Sequence, residues 1–370
     1  MSFGDTSNLP DISVDDNVIS LFGPWHPLDR LIGYLNGRSR LFVNGWGDER
    51  VLASVLDTEP FQSSPAAVAI AWDRPHVARG VERTAGRFVS PNTALPEPVR
   101  AGHVQRLRSA RPRGGPRTAC VVLAGSREEG FALRQGIFGP LAREGIDLYL
   151  LENPYYGLRR PPGQRGASLG TVAEHVLMNL AIVDEARSLL ATLREGGYEQ
   201  IGVTGYSMGG FMAGLAASLT REPLAVAALA AGASPAPVFT RGLLAHSIDF
   251  TDLGGSAAGA EAARRRLASL FDRARLTHFP APLHARSAIL LACRRDGYVP
   301  RTETLALHAH WASSELRWVN AGHISALFTE RHALRAAVRD AFARLRGQEP
   351  RHRIRPRAMS YFVPRPSPRR

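Results

Sequence analysis

Residues 200–210 read Gln-Ile-Gly-Val-Thr-Gly-Tyr-Ser-Met-Gly-Gly, and this stretch decides the fold. A β-type run over Gln200–Thr204 leads into a Gly-x-Ser-x-Gly pattern, and a small-residue helical stretch follows. The pattern predicts a strand that turns sharply into a helix with Ser207 at the apex, because glycines fit the crowded positions beside a strained turn. The first N–H groups of such a helix point toward the place where an oxyanion would form. A serine nucleophile is therefore predicted at Ser207.

A serine hydroxyl is a weak nucleophile near neutral pH, so it needs a histidine within hydrogen-bond reach and a carboxylate that orients the ring. In chains with this turn the residues follow the order serine, acid, histidine. Asp296 comes after the apolar run Ala288–Ala292 and before a glycine, and His323 lies just past the last predicted strand. The other histidines fall on an edge strand, on helices or in loops, where packing and surface roles are simpler interpretations. Ser207, Asp296 and His323 are therefore the predicted catalytic residues, with no metal and no cofactor.

Two hydrogen-bond donors should hold the negative charge that develops when a serine attacks a carbonyl carbon. The N–H of Met208, directly after Ser207, is predicted as the first donor of this oxyanion hole. The second donor is predicted at Gly125 or Ser126, in the loop after the run Thr118–Ala124, because glycine lets a backbone come close. An ordinary turn between a strand and a helix would show the same residues.

A further loop with polar and aromatic side chains follows the run Asp147–Leu151. It contains Asn153, Tyr155 and Tyr156, and it falls at the carboxyl edge of the predicted sheet, where ligands bind in open α/β sheets. These residues and Tyr206 are predicted to line the substrate pocket. Packing beneath an inserted segment is the alternative for the two tyrosines.

Apolar runs alternate with helical patterns after residue 116, which is typical of a parallel sheet covered on both faces. Two earlier segments, Arg87–Ser90 and Gly102–Arg108, have the alternation of edge strands. The sequence thus predicts an α/β-hydrolase fold with a mostly parallel, twisted sheet of about eight strands and helices on both faces. The main predicted strands are Thr118–Ala124, Asp147–Leu151, Gln200–Thr204, Leu224–Leu229, Ala288–Ala292 and Glu315–Val319.

The predicted domain covers residues 27–346 and follows a disordered leader over residues 1–26. Its first part, residues 27–86, is predicted to be a helical segment, because apolar residues recur at helical spacing from Pro27 to about Asp57. The stretch from Pro65 to Pro98 is rich in loop-forming residues and gives no clear pattern. Residues 235–285 contain short helical patterns and no strand pattern. Since they come after the strand Leu224–Leu229, where this fold carries insertions, they are predicted to form a small helical lid.

The composition limits the class of protein. The chain has 370 residues and is 44% hydrophobic, which is enough for one large domain with a buried core. Cys120 and Cys293 fall in apolar runs, and buried thiols fit a reducing compartment. Met1–Asp16 lacks the features of a signal peptide, and no run reaches the ~20 apolar residues of a membrane span. A cytoplasmic protein is predicted.

The positive charge is concentrated at the end of the chain. The net charge is +13, and the last twenty residues hold seven arginines, four prolines and no acid. Residues 347–370 are therefore predicted to be a disordered, solvated tail, with weak contact to an anionic membrane surface as the alternative. Specific nucleic-acid binding is not expected, because aromatic residues do not alternate with the arginines as stacking platforms would.

Several strings closely resemble the α/β-hydrolase domain-containing protein 18 family, over roughly residues 28–345. The resemblance implies a serine-hydrolase fold with Ser207 as nucleophile, Asp296 as acid and His323 as base. One departure lies at residues 125–129, which read Gly-Ser-Arg-Glu-Glu where the family has Gly-Thr-Gly-Asp-His. The chain also lacks a long insertion that animal members carry before the penultimate strand. The strings that carry the resemblance are Leu151–Gly157, Ser207–Gly210, Val238–Gly242, Tyr298–Arg301 and Gly322–Ala326.

The predicted activity is that of a serine esterase that cleaves a carboxylic ester through an acyl-enzyme. The predicted lid and the basic surface favour a lipid or another apolar acyl ester, in the manner of a lipase, or else a small-molecule ester. An acyltransferase that uses the same three residues is one alternative, and a non-catalytic binding protein on a hydrolase fold is another. The oligomeric state is not predicted.

Overall fold

The computed structural model describes residues 24–54, 65–111 and 114–348. Most of the predicted leader and tail, residues 1–23 and 349–370, therefore lies outside the described residues. The described parts contain ten strands in a single mixed sheet and twelve α-helices.

The sheet runs in the spatial order β1-β3-β4-β6-β5-β7-β8-β9-β10, with β2 paired to β3. Strands β5 to β10 pair in parallel, whereas β1 to β4 pair antiparallel and β4 joins β6 antiparallel. The mostly parallel α/β-hydrolase sheet is thus confirmed, and two short strands, β1 and β2, add to the eight that were predicted. The strands are β1 Ala71–Trp72, β2 His76–Ala78, β3 Val81–Val89, β4 Ala101–Ser109, β5 Thr118–Leu123, β6 Ile146–Leu151, β7 Gln200–Tyr206, β8 Ala225–Leu229, β9 Ala288–Cys293 and β10 Glu315–Val319.

Helices cover both faces of the sheet because the parallel strands bury side chains on both faces. In β5, Val121 packs on the face covered by α5 and α6, and Val122 packs on the face covered by α3 and α12. No helix in the described ranges has both the length and the apolar character needed to cross a bilayer. The helices are α1 Pro27–Asn36, α2 Glu49–Ser54, α3 Ala132–Phe138, α4 Pro140–Arg143, α5 Val172–Glu195, α6 Met208–Ser218, α7 Ala236–Thr240, α8 Phe250–Leu253, α9 Ala260–Asp272, α10 Arg301–His310, α11 His323–Thr329 and α12 Arg331–Leu345.

The first part of the domain is only partly helical. Helices α1 and α2 lie in the predicted helical segment 27–86, but from Ala71 onward the chain forms β1, β2 and the start of β3, so the helical prediction is wrong for residues 71–86. Long-range pairing explains the difference, since β3 pairs with β4 over its whole length, from Val81 opposite Ser109 to Val89 opposite Ala101.

The segment between β8 and β9 is helical, as its sequence indicates. It holds α7, α8 and α9, which pack through Phe239, Phe250 and Phe271, respectively, into one hydrophobic cluster. Their partners in this cluster include Phe42, before α2, and Val176 of α5. The segment therefore lies over the start of α5 and against the first part of the domain. Its role as a lid stays a prediction.

Candidate active site

Ser207 occupies the turn between β7 and α6 in a conformation that few residues adopt. Its φ is +57° and its ψ is −121°, outside the regions that residues with a Cβ readily populate. A side chain at Gly205 would lie 2.3 Å from the carbonyl carbon of Gly209. A side chain at Gly209 would lie 2.4 Å from the carbonyl oxygen of Leu123. Both glycines are therefore required where strand, turn and helix meet.

The structure brings the three predicted catalytic residues into one chain of hydrogen bonds. The Ser207 Oγ lies 2.8 Å from Nε2 of His323, and the His323 Nδ1 lies 2.7 Å from Oδ2 of Asp296. His323 begins α11, just after β10, and Asp296 follows β9, so all three residues stand at the carboxyl edge of the sheet. Burial of the histidine and the carboxylate keeps water from competing for these bonds.

The orientation of Asp296 leaves one carboxylate oxygen for the histidine. Its Oδ1 accepts hydrogen bonds from the backbone N–H groups of Tyr298 and Val299, both at 2.8 Å. The Oδ2 is thereby directed to His323. On the other side of the ring, the Tyr206 hydroxyl donates a hydrogen bond of 2.5 Å to the His323 carbonyl oxygen. His323 is thus held through both its ring and its backbone carbonyl group.

Asp29 is a site residue that the sequence analysis missed. This fully buried carboxylate on α1 accepts hydrogen bonds from the backbone N–H groups of Gly297, at 3.1 Å, and His323, at 2.7 Å. A third bond of 2.9 Å comes from the N–H of Ile324. The sequence gives only a weak indication of this role, because an acid in the first turn of a helix is common. In the structure Asp29 lies on the buried face of α1 together with Gly33.

The electrostatics of the site favour a basic imidazole. Burial by itself would lower the pKa of His323, but the charge and hydrogen bond of Asp296, with the charge of Asp29, outweigh it and raise the pKa. By contrast, burial without a nearby carboxylate lowers the pKa of His175 to about 4. Burial also raises the pKa of Asp29, and the nearby charge of Asp296 adds to this rise.

A cavity of about 290 Å³ opens beside Ser207 and His323. Its walls are largely apolar, and Tyr206 is one of the residues that line it. A smaller cavity of about 60 Å³ adjoins it, since both are lined by residues of α5 and α6. Apolar side chains that line the larger cavity include Ile137, Phe211, Met212, Phe239, Val299 and Leu327.

The other predicted pocket residues lie outside this cavity. Asn153, Tyr155 and Tyr156 are each at most 3% exposed and are packed in the interior. The Tyr156 hydroxyl contacts the Ser126 side chain and the Arg127 backbone, so it supports the loop after β5 from behind. The predicted pocket role is therefore corrected to a packing role, because the loop after β6 turns into the core.

The sequence profile described as alpha/beta hydrolase domain containing 18 matches residues 39–258 and 254–344, which is most of the chain. The chain belongs to this family. Membership agrees with the resemblance carried by the sequence strings and with the observed sheet. The protein is thus an α/β-hydrolase by family and by fold.

Solved structures of other proteins are similar to this family member in fold. An acetyl xylan esterase from Paenibacillus sp. R4 has 13% sequence identity and a TM-score of 0.53, over 82% of this chain and 98% of its own. Brefeldin A esterase, described as a bacterial homologue of human hormone-sensitive lipase, has 13% identity and a TM-score of 0.49. That match covers 82% of this chain and 88% of the esterase. At 13% identity the likeness to the acetyl xylan esterase shows the fold alone.

The loop after β5 is where this member of the alpha/beta hydrolase domain containing 18 family departs from the family pattern. The Gly125 N–H donates a hydrogen bond of 2.9 Å to Oε2 of Glu128, within the same loop. Of the two alternatives for the second oxyanion donor, Gly125 is therefore engaged elsewhere, and Ser126 is the remaining candidate. Ser126 and Met208 both line the cavity beside Ser207. Arg127 follows with a φ of +62°, which turns the loop over the cavity.

Proposed function

We propose that this protein is a serine hydrolase that cleaves a carboxylic ester through an acyl-enzyme. The observation that carries the proposal is the chain of hydrogen bonds from Asp296 through His323 to Ser207, at a strained turn that faces a cavity. This arrangement supplies a nucleophile, a base and a group that orients the base.

In the first half-reaction the Ser207 Oγ attacks the carbonyl carbon while Nε2 of His323 takes the hydroxyl proton. Asp296 accepts the Nδ1–H of the ring, so Nε2 is free to accept a proton. The negative charge of Asp296 then stabilises the imidazolium that forms. The oxyanion lies near the N–H groups of Met208 and Ser126. His323 then gives its proton to the leaving alcohol, and Ser207 retains the acyl group.

In the second half-reaction a water molecule takes the place of the alcohol. His323 removes a proton from this water, the hydroxide attacks the acyl carbon, and the proton returns to the Ser207 Oγ as the acid leaves. Each step uses the same three groups, so neither a metal nor a redox cofactor is part of the proposed cycle.

The proposed substrate is an apolar acyl ester. The walls beside Ser207 are built from aliphatic and aromatic side chains such as Ile137, Phe211 and Phe239. Such walls stabilise an acyl chain by removing it from water, at about 0.8 kcal/mol for each buried CH₂ group. The adjoining cavity beyond Met212 extends the apolar space.

Replacement of the nucleophile tests the proposal. Ser207→Ala should abolish both hydrolysis of p-nitrophenyl butyrate and covalent labelling by a fluorophosphonate. Ser218→Ala is a matched control, because Ser218 is a buried serine at the far end of the helix that follows Ser207, and it lies outside the cavity. Unreduced labelling of Ser207→Ala, or wild-type protein that neither labels nor turns over any ester in an acyl-length series, would refute the assignment.

Acyl transfer uses the same residues and differs only in the group that accepts the acyl chain. Product analysis with and without added glycerol or a primary amine separates the two reactions. Under the proposal the free acid is the main product in both conditions. A predominance of the transferred product at millimolar acceptor would reassign the protein as an acyltransferase.

A further inference from the structure

Asp29 connects the loop after β9 and the start of α11, which carry the acid and the base of the proposed mechanism. Its Oδ2 accepts the N–H of Gly297, which directly follows the acid Asp296, and also the N–H of His323, the base itself. Its Oδ1 accepts the N–H of Ile324. One carboxylate thus binds the loop after β9 and the start of α11 together.

The approach between α1 and these segments is close. The N–H of His26, just before α1, donates a hydrogen bond of 3.0 Å to the carbonyl oxygen of Arg295. A Cβ at Gly322 would lie 2.3 Å from the Cβ of His26 and 2.6 Å from Oδ1 of Asp29. Glycine at position 322 therefore lets α1 reach the backbone that carries the histidine.

Asp29 accepts hydrogen bonds from two N–H groups of α11 that have no acceptor within their own helix. His323 and Ile324 open α11, and N–H groups in the first turn of a helix lack intrahelical acceptors. An N–H group of this kind destabilises the fold when it is buried without an acceptor. Because the acceptor is a carboxylate on a different helix, the cap also fixes where α11 begins relative to the acid loop.

The charge of Asp29 acts on a small set of neighbours. Burial raises the pKa values of the phenols and the thiol among them, so these groups stay neutral near neutral pH. The titratable groups that face Asp29 are Asp296 and Tyr298 from the loop after β9, Cys293 from β9, Tyr206 from β7, His323 from α11 and His26 before α1.

We propose that Asp29 is a positioning residue of the reaction proposed above, on which this inference rests. Its carboxylate holds the acid loop and the start of α11 in register so that the His323 ring reaches Ser207, and its charge stabilises the ring when it is protonated. Asp29 contacts neither the cavity nor the hydroxyl group of Ser207. It therefore acts through Asp296 and His323.

Asp29→Asn removes the charge of Asp29 and keeps two of its three hydrogen bonds. The amide is isosteric with the carboxylate, and its oxygen can still accept the N–H groups of Gly297 and His323, whereas its NH₂ group faces the N–H of Ile324. The variant should lower kcat by roughly tenfold, below the 10²-fold effect of a ~1 Å misplacement. KM should change little, because the cavity walls are untouched. Asp184→Asn is the control, a largely buried acid whose pKa is likewise raised by burial and that lies outside the cavity.

Two readouts distinguish positioning from simple stability. The first is kcat per active site, with sites counted by fluorophosphonate titration, since a destabilised but correctly built site loses titratable sites and keeps kcat. The second is the titration of the His323 Nδ1–H resonance by NMR, which needs no activity. In Asp29→Asn its midpoint should fall by roughly 0.5–1 pH unit, less than a direct ion pair gives.

The outcomes are decisive in either direction. A lower midpoint together with a lower kcat per site supports the inference. An unchanged midpoint, or a loss of titratable sites at constant kcat, overturns it. If Asp29→Asn does not fold, Asp29→Glu retains the charge but moves the carboxylate, and it should lower kcat while the midpoint stays at the wild-type value; an unchanged kcat would overturn the inference. Wild-type protein without turnover would refute the hydrolase proposal, yet the NMR titration would still test Asp29.

Discussion

Asp296→Asn gives the sharpest test of the hydrogen-bonded chain. In the native site Oδ1 accepts two backbone N–H groups, at 2.8 Å each, and Oδ2 accepts the Nδ1–H of His323. An asparagine here has one oxygen, and the two backbone donors bind it. Its NH₂ group then faces Nδ1, which must become an acceptor, and the ring proton moves to Nε2. In that tautomer His323 cannot take the proton of Ser207.

The expected loss follows from the geometry. A base in the wrong tautomer lowers kcat by about 10⁴-fold when the surrounding site stays intact. This factor corresponds to roughly 5 kcal/mol of transition-state stabilisation. KM for a p-nitrophenyl ester should remain close to the wild-type value, because Asp296 is buried behind the histidine and away from the cavity.

The assay is steady-state hydrolysis of p-nitrophenyl butyrate, normalised to the fraction of folded protein measured by circular dichroism. Asp340→Asn serves as a control for the loss of a buried carboxylate, since Asp340 lies on α12 and outside the cavity. A kcat of Asp296→Asn within tenfold of the wild-type value would refute the reasoning, because another group would then have to orient the ring.

Three further predictions follow from the described contacts. The pKa of His323 is raised above its ordinary 6.5, so kcat/KM should rise with pH through a midpoint above 6.5; a midpoint at or below 6.5 would contradict this. Gly205→Ala places a Cβ 2.3 Å from backbone and should cost about 1–3 kcal/mol in urea unfolding, whereas Gly136→Ala, with nothing within 4 Å, should be neutral or stabilising. Arg159 and Glu185 form a fully buried pair at 2.7 Å, so Glu185→Gln should lower the free energy of unfolding by about 3–5 kcal/mol; a loss below 1 kcal/mol in urea unfolding would show that the pair is not isolated from water.

Local sequence patterns were sufficient to predict the part of the site whose geometry depends on neighbouring residues in the chain. The turn at Ser207 needs glycines within two residues of it, and the order of Asp296 and His323 after their strands follows from the order of the sheet. The strands β5 to β9 were also recognisable, because strands buried on both faces are largely apolar runs. Each of these signals lies within a short window of the chain.

The remaining features depend on contacts between distant residues. Nothing near Asp29 in the sequence shows that three N–H groups from the far end of the chain point at it. Tyr155 and Tyr156 follow a strand at the functional edge, but the backbone after β6 turns them into the core, and Tyr155 has a φ of +66°. Whether a side chain faces a cavity or the interior depends on such a turn, which composition does not encode.

The hydrogen bonds that join α1 to the loop after β9 and to α11 have a consequence for the order in which the protein folds. They join residues that are 268 to 295 positions apart, among the longest sequence separations in the fold. Contacts of this kind form late, since the chain must close a large loop before they contribute. During synthesis α1 therefore docks only after the loop that follows β9 and the start of α11 have been made. A species with a complete sheet and an undocked α1 would be structured but without its assembled site, so hydrolysis would report the final step of folding.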